Sequence, residues 1–432
     1  MPGSVPNMPG VKADAHMAMA FRQEVANLLN RHQTSFPGAQ PVSFAAKHLL
    51  ELQRQDYYVC EKSDGIRCLL YMTGDSSVHP PQEIVYLIDR KNDYYWAQGV
   101  HFPVSSERPL EFHTGTLVDG ELVNDSMPDG SIQLNYLVFD CLVLDGSSLM
   151  HRTLDKRLAY FREKVYSPYK ALYAQYPEEV QYLPFTVKFK KMEFGYASEM
   201  MFRDILPNLP HGNDGLIFTC RNSPYQPGTD PHILKWKPAE ENSLDFRLFF
   251  GWGMIEPDIE DVRDGITEAY PDYYSKPTFH LFVHRSAGND ELYASMTVDD
   301  DEWEYMKSLN KPLDERIVEC YLDRRGQWRF LRFRDDKLEA NHVSMIESVM
   351  ESIRDGVTEQ DLITCSRKIR EEWKKREANE KAEAARKGMN GHAAPAGGQR
   401  EVSMKRKLEN GDDEAENAKR HHSAHHQESS QQ

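Results

Sequence analysis

The pattern of apolar and polar positions gives residues 41–240 a mixed character. Short apolar runs of strand type alternate there with stretches of helical periodicity. The strand-like runs are 57–59, 68–71, 84–89, 116–123, 134–144, 185–189 and 216–220, and the helical patterns are 153–165 and 197–206. This alternation predicts a compact unit that contains both helices and strands.

Residues 241–345 have a different pattern, with closely spaced strands and a single helix. The strand-like runs are 244–252, 279–284, 292–296, 317–322 and 328–333, and the helical pattern is 299–309. Five short strands with one intervening helix match a small Greek-key barrel of the OB type. A plain β-sandwich is the alternative that the pattern leaves open.

The two ends of the chain are simpler. Residues 1–40 form an N-terminal extension with one amphipathic helix predicted over 17–31. Residues 346–387 are predicted to form C-terminal helices, the last of them highly charged. From residue 388 to 432 the chain is rich in Gly, Ala, Ser, Gln and alternating charges, so we expect a disordered charged tail.

Composition narrows the class of protein. The six cysteines are scattered singly, which favours reduced thiols in an intracellular protein. No apolar run reaches eighteen residues, so we expect no membrane span. The net charge is −16, yet residues 366–432 carry 15 Lys and Arg against 12 Asp and Glu, so the negative charge lies in the body. An acidic folded region does not favour non-specific binding along double-stranded nucleic acid, because both are negatively charged. It can still contain a small basic pocket for one nucleotide.

The stretch Glu61–Arg67, with the pattern K-x-D-G-x-R, carries the most chemical information. It lies between two strand-like runs, and its glycine permits a tight turn, so we expect Lys62 on that turn. A lysine that attacks phosphorus must be neutral, and neighbouring cations and burial favour that form. Taken alone, this short pattern is more typical of a β-turn with an outward lysine.

Four further stretches place charges on apolar strands. They supply Asp119 and Glu121, then Asp140, then Asp214, and finally Lys235 and Lys237, which point to the same side because they are two residues apart. Each stretch has a structural alternative, such as an ion pair or a lysine that protects a sheet edge. Together they favour a nucleotide site, since a triphosphate between two lysines relieves their repulsion.

These five stretches, in this order, resemble the motif series of the covalent nucleotidyltransferases, which include capping guanylyltransferases and ATP- or NAD-dependent ligases. Residues 332–337 resemble the terminal R-x-D-K motif of capping enzymes. Two of the motifs are most similar in sequence to those of the fungal monofunctional mRNA guanylyltransferases. They are Leu-Lys-Trp-Lys-Pro and Asp-Gly-Leu-Ile-Phe. The resemblance covers about residues 40–345. It implies an α+β fold, with an ATP-grasp-like nucleotidyltransferase domain of the ligase type, built on antiparallel sheets, before an OB-fold domain.

The resemblance also implies roles for single residues. Lys62 would form the lysyl-GMP phosphoramidate, and Asp214 and Glu121 would hold a divalent cation. The residues expected to bind GTP are Arg67 and Glu121 at the ribose, Phe139 on the guanine, Lys235 and Lys237 at the α-phosphate, and Arg334, Asp336 and Lys337 at the β- and γ-phosphates. Supporting roles fall to Asp64, Gly65, Asp119 and Asp140. The lysine that reads guanine is one of Lys188, Lys190 and Lys191, and Lys188 is our choice.

The implied reaction transfers GMP from GTP, with Mg²⁺ or Mn²⁺, to the 5′-diphosphate end of nascent RNA, which forms the GpppN cap. The implied partners are this RNA, a separate RNA 5′-triphosphatase and the phosphorylated C-terminal domain of RNA polymerase II. The implied location is the nucleus. Two basic clusters, 405–407 and 419–420, fit an import signal as well as they fit a merely solvating tail.

Two other functions are compatible with the same sequence. An ATP-dependent polynucleotide ligase would use the same lysine chemistry with adenylate. A catalytically silent RNA-binding scaffold would keep the fold without the reaction, although the intact set of Lys62, Glu121, Lys235 and Lys237 argues against it.

Overall fold

The structure is a computed structural model that describes residues 5–390 except 76, 239–240, 287 and 324. The contacts divide the chain into two compact units, of which the first ends at Lys375 and the second begins at Arg376. The sheets, the barrel and the residues of the predicted site all belong to the first unit. The predicted tail lies outside the described residues except for 388–390, and so do both basic clusters.

Two large sheets and one two-stranded sheet form the described part of the chain before residue 238, which we call the two-sheet domain. Its strands are β1 Val11–Lys12, β2 Ala39–Ser43, β3 Tyr57–Ser63, β4 Ile66–Asp75, β5 Gln82–Ile88, β6 Tyr94–Trp96, β7 Pro103–Ser105, β8 Arg108–Phe112, β9 Thr116–Ser126, β10 Ile132–Leu144, β11 Ser147–Ser148, β12 Thr186–Phe189, β13 Glu193–Phe194, β14 Asn213–Cys220 and β15 Gly228–Trp236. Its helices are α1 Ala15–Leu28, α2 Ala46–Arg54, α3 Leu154–Phe161, α4 Ser167–Gln175 and the short α5 Ser198–Met200.

The first sheet has the strand order β1-β6-β5-β4-β9-β10-β11, and β12 pairs with β10. The second has the order β13-β3-β14-β15-β2. All pairs are antiparallel except β10 with β12 and β15 with β2. The mixed fold with mainly antiparallel sheets is therefore confirmed, and the two sheets meet where β3 of one runs into β4 of the other.

Residues before 40 are built into this fold. Asp14 caps α1 by accepting a hydrogen bond from the amide of Met17 at 2.8 Å. Val25 and Leu29 pack against the tyrosines of β5 and β6 in a buried cluster. Strand β1 pairs with β6, so this segment extends the first sheet instead of standing apart from it.

The strands after residue 242 close into a barrel with the order β16-β19-β20-β22-β21. The elements of this part are β16 Ser243–Gly251, β17 Met254–Ile255, α6 Ile259–Arg263, β18 Tyr270–Pro271, β19 Thr278–Ser286, β20 Asn289–Thr297, α7 Asp300–Ser308, β21 Ile317–Leu322 and β22 Trp328–Phe333. Helix α7 lies between the third and fourth barrel strands, as the sequence predicts. Closure rules out the open sandwich, and the arrangement fits the OB type.

Two helices follow the barrel, α8 Val343–Asp355 and α9 Glu359–Asn390. Ile346 and Val349 of α8 pack into the barrel core. Leu362 and Ile369 of α9 pack instead into the core beneath the second sheet. Gly356, in the left-handed conformation with φ of 56°, separates the two helices. No helix in the described part of the chain has the length and apolar character needed to cross a membrane.

Candidate active site

Lys62 lies on a strand, and this corrects the expectation that it sits on a turn. It is the penultimate residue of β3, and the turn into β4 consists of the exposed Asp64 and of Gly65. Gly65 has no room for a side chain, because a Cβ there would lie 2.2 Å from the carbonyl oxygen of Leu122. The amide of Asp64 donates to the carbonyl of Gly212 at 2.9 Å. The turn thus holds β3 closely against β9 and against the loop before β14.

Asp214 brings two of the predicted lysines together. One of its carboxylate oxygens lies 2.6 Å from Lys62 Nζ, and the other lies 2.6 Å from Lys237 Nζ. Burial acts to raise the pKa of Asp214, but the charges of Lys62 and Lys237 outweigh it and lower that pKa. Lys62, Asp214, Lys235 and Lys237 are called the Lys62 cluster below.

Lys235 is the cation of this cluster for which the described residues supply no carboxylate partner. Leu234 and Trp236 are buried on the other side of β15, so the predicted alternation along the strand is correct. Within the described residues, Lys235 Nζ makes no ion pair. Burial lowers the pKa of Lys235 to about 8, helped by the charges of Lys237, Lys62 and Arg90. An anionic ligand would relieve this crowding of positive charge.

Arg67 is held by a buried carboxylate on the neighbouring strand. Its Nη2 and Nε lie 2.6 and 3.1 Å from the two oxygens of Asp119, whose carboxylate also accepts a hydrogen bond from Tyr225 Oη at 2.6 Å. The guanidinium carbon lies 5.5 Å from the ring centre of Phe139. Phe139 falls at a register shift between β10 and β9, where a bulge changes the direction of a side chain. Asp119 therefore positions Arg67, and Arg67 lies against the ring of Phe139, the residue predicted to stack on the guanine.

Glu121 belongs to a second buried cluster around Lys190. Lys190 Nζ lies 3.7 Å from Glu121, 3.4 Å from Glu61 and 2.7 Å from the hydroxyl of Ser63. Burial raises the pKa of Glu121, against the charges of Lys190 and Lys62. Lys190 thus ties the predicted ribose carboxylate to the strand that carries Lys62.

The three candidate lysines for guanine occupy different surroundings. Lys190 is buried, with only 4% of its surface exposed. Lys188 pairs with Asp125 at 2.8 Å and keeps 42% of its side chain exposed. Lys191 is largely exposed beside Glu193. Because Lys190 is already occupied by two carboxylates and a hydroxyl, Lys188 is more accessible to a base.

His211 is a charged group that the sequence reading missed. Its Nδ1 lies 2.7 Å from Asp125 and its Nε2 lies 3.6 Å from Glu61. Burial opposes protonation, but these carboxylates raise the pKa of His211 to about 9. The sequence signal was weak, since a lone histidine three residues before Asp214 has no periodicity that marks it.

Asp140 forms a structural ion pair. Its oxygens accept from Arg157 Nε and Nη2 at 2.7 and 2.8 Å, and both residues are buried. Arg157 also donates to the carbonyls of Arg152 and Ser223. Removal of one partner from such a pair costs about 3–5 kcal/mol, so Asp140 supports the sheet instead of a ligand.

Arg334, Asp336 and Lys337 lie on the barrel and pair there. Arg334 donates to both oxygens of Asp336 at 2.9 Å, and it lies 3.0 Å from Asp245 and 3.4 Å from Glu319. Lys337 also pairs with Asp245. Together with Asp245 and Glu319, these three residues are called the barrel cluster. In the described part of the chain, no hydrogen bond or ion pair joins it to the Lys62 cluster.

Arg90 is a second residue that the sequence reading missed. It lies in the turn after β5 and is exposed, and the described residues supply it with no hydrogen bond or ion pair. Although solvent reaches it, the protein atoms around it and the charge of Arg67 lower its pKa. Its charge in turn acts on Glu121 and Lys235. The adjacent basic residues Arg90 and Lys91 at the end of a strand were the only signal in the sequence.

The carboxylates fit a divalent cation only together with a nucleotide. Among the described residues, no group of three or more His, Cys, Asp or Glu side chains is placed to hold a metal ion. Asp214 and Glu121 offer the hard oxygen atoms that Mg²⁺ prefers, but both carboxylates face lysines. Phosphate oxygens would have to supply most of the remaining ligands.

Two solved structures that resemble this chain do so only distantly. Mycobacterial DNA ligase D complexed with ATP and MES is 15% identical, with a TM-score of 0.31, over 69% of this chain and 95% of that one. Chlorella virus DNA ligase-adenylate is 11% identical, with a TM-score of 0.27, over 69% of this chain and 100% of that one. At these scores the likeness carries no argument.

Comparison with protein families and curated sequences is decisive. Residues 4–239 match the mRNA capping enzyme catalytic domain, and residues 241–363 match the mRNA capping enzyme C-terminal domain. The mRNA-capping enzyme subunit alpha of Neurospora crassa is 49% identical over 86% of this chain and 95% of its own length. The proteins of the same name from Schizosaccharomyces pombe and Saccharomyces cerevisiae are 46% and 37% identical over 85% and 87% of this chain, and over 89% and 88% of their own lengths. The chain therefore belongs to the mRNA capping enzyme family.

Proposed function

We propose that this chain is an mRNA guanylyltransferase that carries GMP on Lys62 and transfers it to the 5′-diphosphate end of RNA. The observation that carries the proposal is the Lys62 cluster. It places three lysines around one carboxylate, and one of those lysines has no anionic partner among the described residues. Membership in the mRNA capping enzyme family supports the choice of reaction.

The first step forms a bond between Lys62 Nζ and the α-phosphorus of GTP and breaks the bond from that phosphorus to the bridging oxygen. Pyrophosphate leaves with the electron pair, and Lys62 loses a proton because only the neutral amine attacks. Lys235 and Lys237 would stabilise the charge that develops on the α-phosphate oxygens. In the second step, a β-phosphate oxygen of the RNA end displaces Lys62, which regains a proton.

The nucleoside would lie between the two sheets. Phe139 would stack on the guanine, Arg67 and Glu121 would hold the ribose, and Lys188 would read the base. Arg67 is held by Asp119, and Glu121 by Lys190, so these groups are positioned before the nucleotide arrives. Such positioning lowers the entropy cost of reaching the reactive geometry.

A divalent cation, when bound, would neutralise charge on the phosphates that leave. Asp214 and Glu121 are the carboxylates that would hold it. Conversion of Lys62 to the phosphoramidate removes one of the two ammonium groups that Asp214 faces in the free protein. The carboxylate of Asp214 would then have an oxygen available for another cation.

The leaving pyrophosphate would be met by Arg334, Asp336 and Lys337. Because these residues belong to the barrel cluster, the barrel must move toward the two-sheet domain for them to act. Closure before lysine attack and opening before RNA entry follow from this requirement.

Covalent labelling tests the reaction directly. Incubation with GTP or ATP labelled at the α-phosphate, with Mg²⁺ or Mn²⁺, should leave label on the denatured protein from GTP only, and this label should survive alkali but be released by hot acid, as expected of a phosphoramidate. Lys62→Ala should lose all label while its thermal unfolding stays near that of the parent. Label from ATP alone would show a polynucleotide ligase, and absence of label from either nucleotide would show a silent scaffold.

We also propose a separate RNA 5′-triphosphatase as a partner. The fungal relatives are named subunit alpha, which denotes a protein with a further subunit. The phosphorylated C-terminal domain of RNA polymerase II is a second proposed partner, and the nucleus the proposed location. If the basic clusters of the tail direct import, removal of residues 400–432 should shift a fluorescent fusion to the cytoplasm. Continued nuclear accumulation of that fusion would exclude this role for the tail.

A further inference from the structure

Asp214 reaches the Lys62 cluster through an irregularity in strand β14. The pairing of β14 with β3 on either side leaves two residues, Asp214 and Gly215, opposite the single residue Lys62. Such an insertion is a β-bulge, which changes the direction of a side chain and is common beside active sites. Because the regular ladder is interrupted here, it does not by itself determine where the carboxylate of Asp214 lies.

The sheet holds the bulge on its C-terminal side. Gly215 has φ of 142°, and a Cβ there would lie 2.1 Å from the carbonyl oxygen of Trp236. Only glycine permits so close an approach to β15 in this conformation. The next residue, Leu216, already pairs with both neighbouring strands. Asp214 is therefore bounded on this side by fixed backbone.

On the N-terminal side, the bulge follows a loop that two backbone bonds hold. The amide of Ser126, the last residue of β9, donates to the carbonyl of Pro210 at 2.8 Å. The amide of Asp64, in the turn after β3, donates to the carbonyl of Gly212 at 2.9 Å. Both donors belong to exposed residues, so water competes for these bonds. They do not fix the loop firmly by themselves.

His211, between the two bonded carbonyls, is the buried anchor of this loop. Its Nδ1 lies 2.7 Å from Asp125 of β9, and its Nε2 lies 3.6 Å from Glu61 of β3. The histidine and both carboxylates are buried, and loss of a cation that faces buried carboxylates is costly. Glu61 directly precedes Lys62. The ring therefore ties the loop that leads to Asp214 to the strand that carries Lys62.

The two carboxylates are held independently of the loop. Asp125 accepts hydrogen bonds from Asn135 Nδ2 and from Lys188 Nζ, both at 2.8 Å. Glu61 lies 3.4 Å from Lys190 Nζ. Because these partners belong to β10 and to the segment of β12, the carboxylates form a fixed support to which His211 attaches the loop.

We propose that His211 is a positioning residue, which fixes the N-terminal side of the bulge and so holds Asp214 opposite Lys62 and Lys237. In the proposed mechanism it contacts neither the nucleotide nor the reacting atoms. Without its side chain the loop keeps only the two exposed backbone bonds, and Asp214 loses its fixed distance to both lysines. The proposal rests on the proposed guanylyltransferase function, since Asp214 and Lys62 act in that reaction.

Amide hydrogen exchange of the full-length, nucleotide-free protein tests the positioning without the reaction. In His211→Leu the amides of Ser126 and Asp64 should exchange at least about tenfold faster, because the carbonyls that accept from them are no longer fixed. The exchange is measured for each residue by NMR. The matched control is His113→Leu, which removes another buried histidine of the two-sheet domain, 2.9 Å from Asp145. This control should leave both amides unchanged.

The kinetics of lysyl-GMP formation test the consequence for the reaction. His211→Leu should lower the maximal rate by roughly ten- to a hundredfold, because misplacement by about 1 Å can cost that much. The KM for GTP should change by less than about threefold, since Asp125 and Glu61 keep their other partners.

A conservative variant separates the hydrogen bond from the mere presence of a ring. His211→Asn should restore most of the rate, because its amide nitrogen is as many bonds from Cα as Nδ1 and can still donate to Asp125. If His211→Leu does not fold, His211→Gln replaces it. That variant keeps a polar side chain but places its amide one bond further from the backbone.

Unchanged exchange of both amides in His211→Leu would overturn the proposal. Equal losses of rate in His211→Asn and His211→Leu would do the same, and so would an equal acceleration of both amides in His113→Leu. Failure of the proposed function looks different. In that case the unsubstituted protein takes no label from GTP, while the exchange measurement still reports whether His211 fixes the loop.

Discussion

The two charged clusters of this protein are built from similar residues but have opposite charge balances. In the Lys62 cluster Lys62 and Lys237 share the single carboxylate of Asp214, and Lys235 has no anionic partner among the described residues. In the barrel cluster Arg334 and Lys337 share three carboxylates, from Asp245, Glu319 and Asp336. An anion that enters the Lys62 cluster reduces the repulsion between its lysines. The barrel cluster must break existing ion pairs before it can bind an anion.

We infer from this difference that the two clusters act at different steps of the reaction, the Lys62 cluster when the nucleotide binds and the barrel cluster when pyrophosphate leaves. A nucleotide can enter the Lys62 cluster without displacing any ion pair of Lys235. In the proposed mechanism the barrel cluster reaches the pyrophosphate through a movement of the barrel, and the new contacts have to compensate for the ion pairs that are lost. Contacts that exist only in the closed state favour the transition state over simple nucleotide binding.

The largest effect is expected from Lys237→Met, which keeps the length of the side chain and removes its charge. Since loss of one group that stabilises developing charge costs about a hundredfold or more in rate, we expect at least that loss in lysyl-GMP formation. Single-turnover labelling at saturating GTP measures it. The matched control is Lys47→Met, whose exposed side chain pairs only with Glu351 in the described structure. A loss below about fivefold for Lys237→Met would mean that Asp214, and not the nucleotide, is its functional partner.

A rise in pH is expected to weaken GTP binding, with an effect of intermediate size. Lys235 in the free protein loses its proton near pH 8, and a bound triphosphate favours the charged form. Above about pH 8, binding therefore takes up a proton, and affinity should fall by up to about tenfold for each pH unit. Calorimetric titration with GTP in buffers of different ionisation enthalpy measures the proton.

Lys235→Met provides the control for this pH effect. The substituted protein should bind GTP more weakly at pH 7.5 and should lose the part of the pH dependence that begins near pH 8. Stability gives an independent check. Because the pKa of Lys235 is lowered on folding, the unfolded chain binds more protons between about pH 8 and 10.5, so this residue favours folding more as the pH rises. Identical proton uptake in the parent and Lys235→Met would assign the titration to another group.

The smallest effect on the rate of lysyl-GMP formation is expected from a substitution in the barrel cluster. Asp245→Asn frees Lys337 and one side of Arg334 from a carboxylate that competes with phosphate. We expect lysyl-GMP formation at low GTP to become about two- to fivefold faster, at some cost in unfolding free energy, since the competing pair is worth only a few kcal/mol. Asp290→Asn, which removes the partner of Arg247 and His284 elsewhere on the barrel, should leave the rate unchanged. A slower rate in Asp245→Asn would show that the cluster positions the barrel instead of restraining it.

The sequence predicted the elements well because strand and helix periodicity is a local property. All five barrel strands and the helix between them lie where the pattern placed them. Strand β3 was predicted too short, and Lys62 was therefore placed on a turn, because the polar pair Glu61 and Lys62 interrupts the apolar run although both lie within the strand.

Some residues of the site could not be predicted from the sequence, because their roles depend on tertiary contacts. Lys190, His211 and Arg90 acquire their roles from residues far away in the chain, and no spacing rule connects His211 with Asp125 or Arg90 with Lys235. The sequence predicted the last helix, α9, only as highly charged, and did not predict what it packs against. Three residues, Leu362, Ile369 and Trp373, suffice to bury one side of its first half.

The indole of Trp236 connects the strand that carries Lys235 to the segment that follows the barrel, so it could transmit a movement of the barrel to the site. Trp236 stands between Lys235 and Lys237, and its Nε1 donates to the carbonyl of Val357 at 2.9 Å. Val357 follows Gly356, directly after the helix that packs into the barrel core. The strand that carries Lys235 and ends directly before Lys237 is thus tethered from behind to the exit of the barrel. The helix before Gly356 is bonded to the two-sheet domain as well, since Ser352 donates to the carbonyl of Phe44 and Asp355 accepts from the amide of Ala46. A swing of the barrel about Gly356 would therefore act on the strand of Lys235 through Trp236 and on the start of α2 through these bonds.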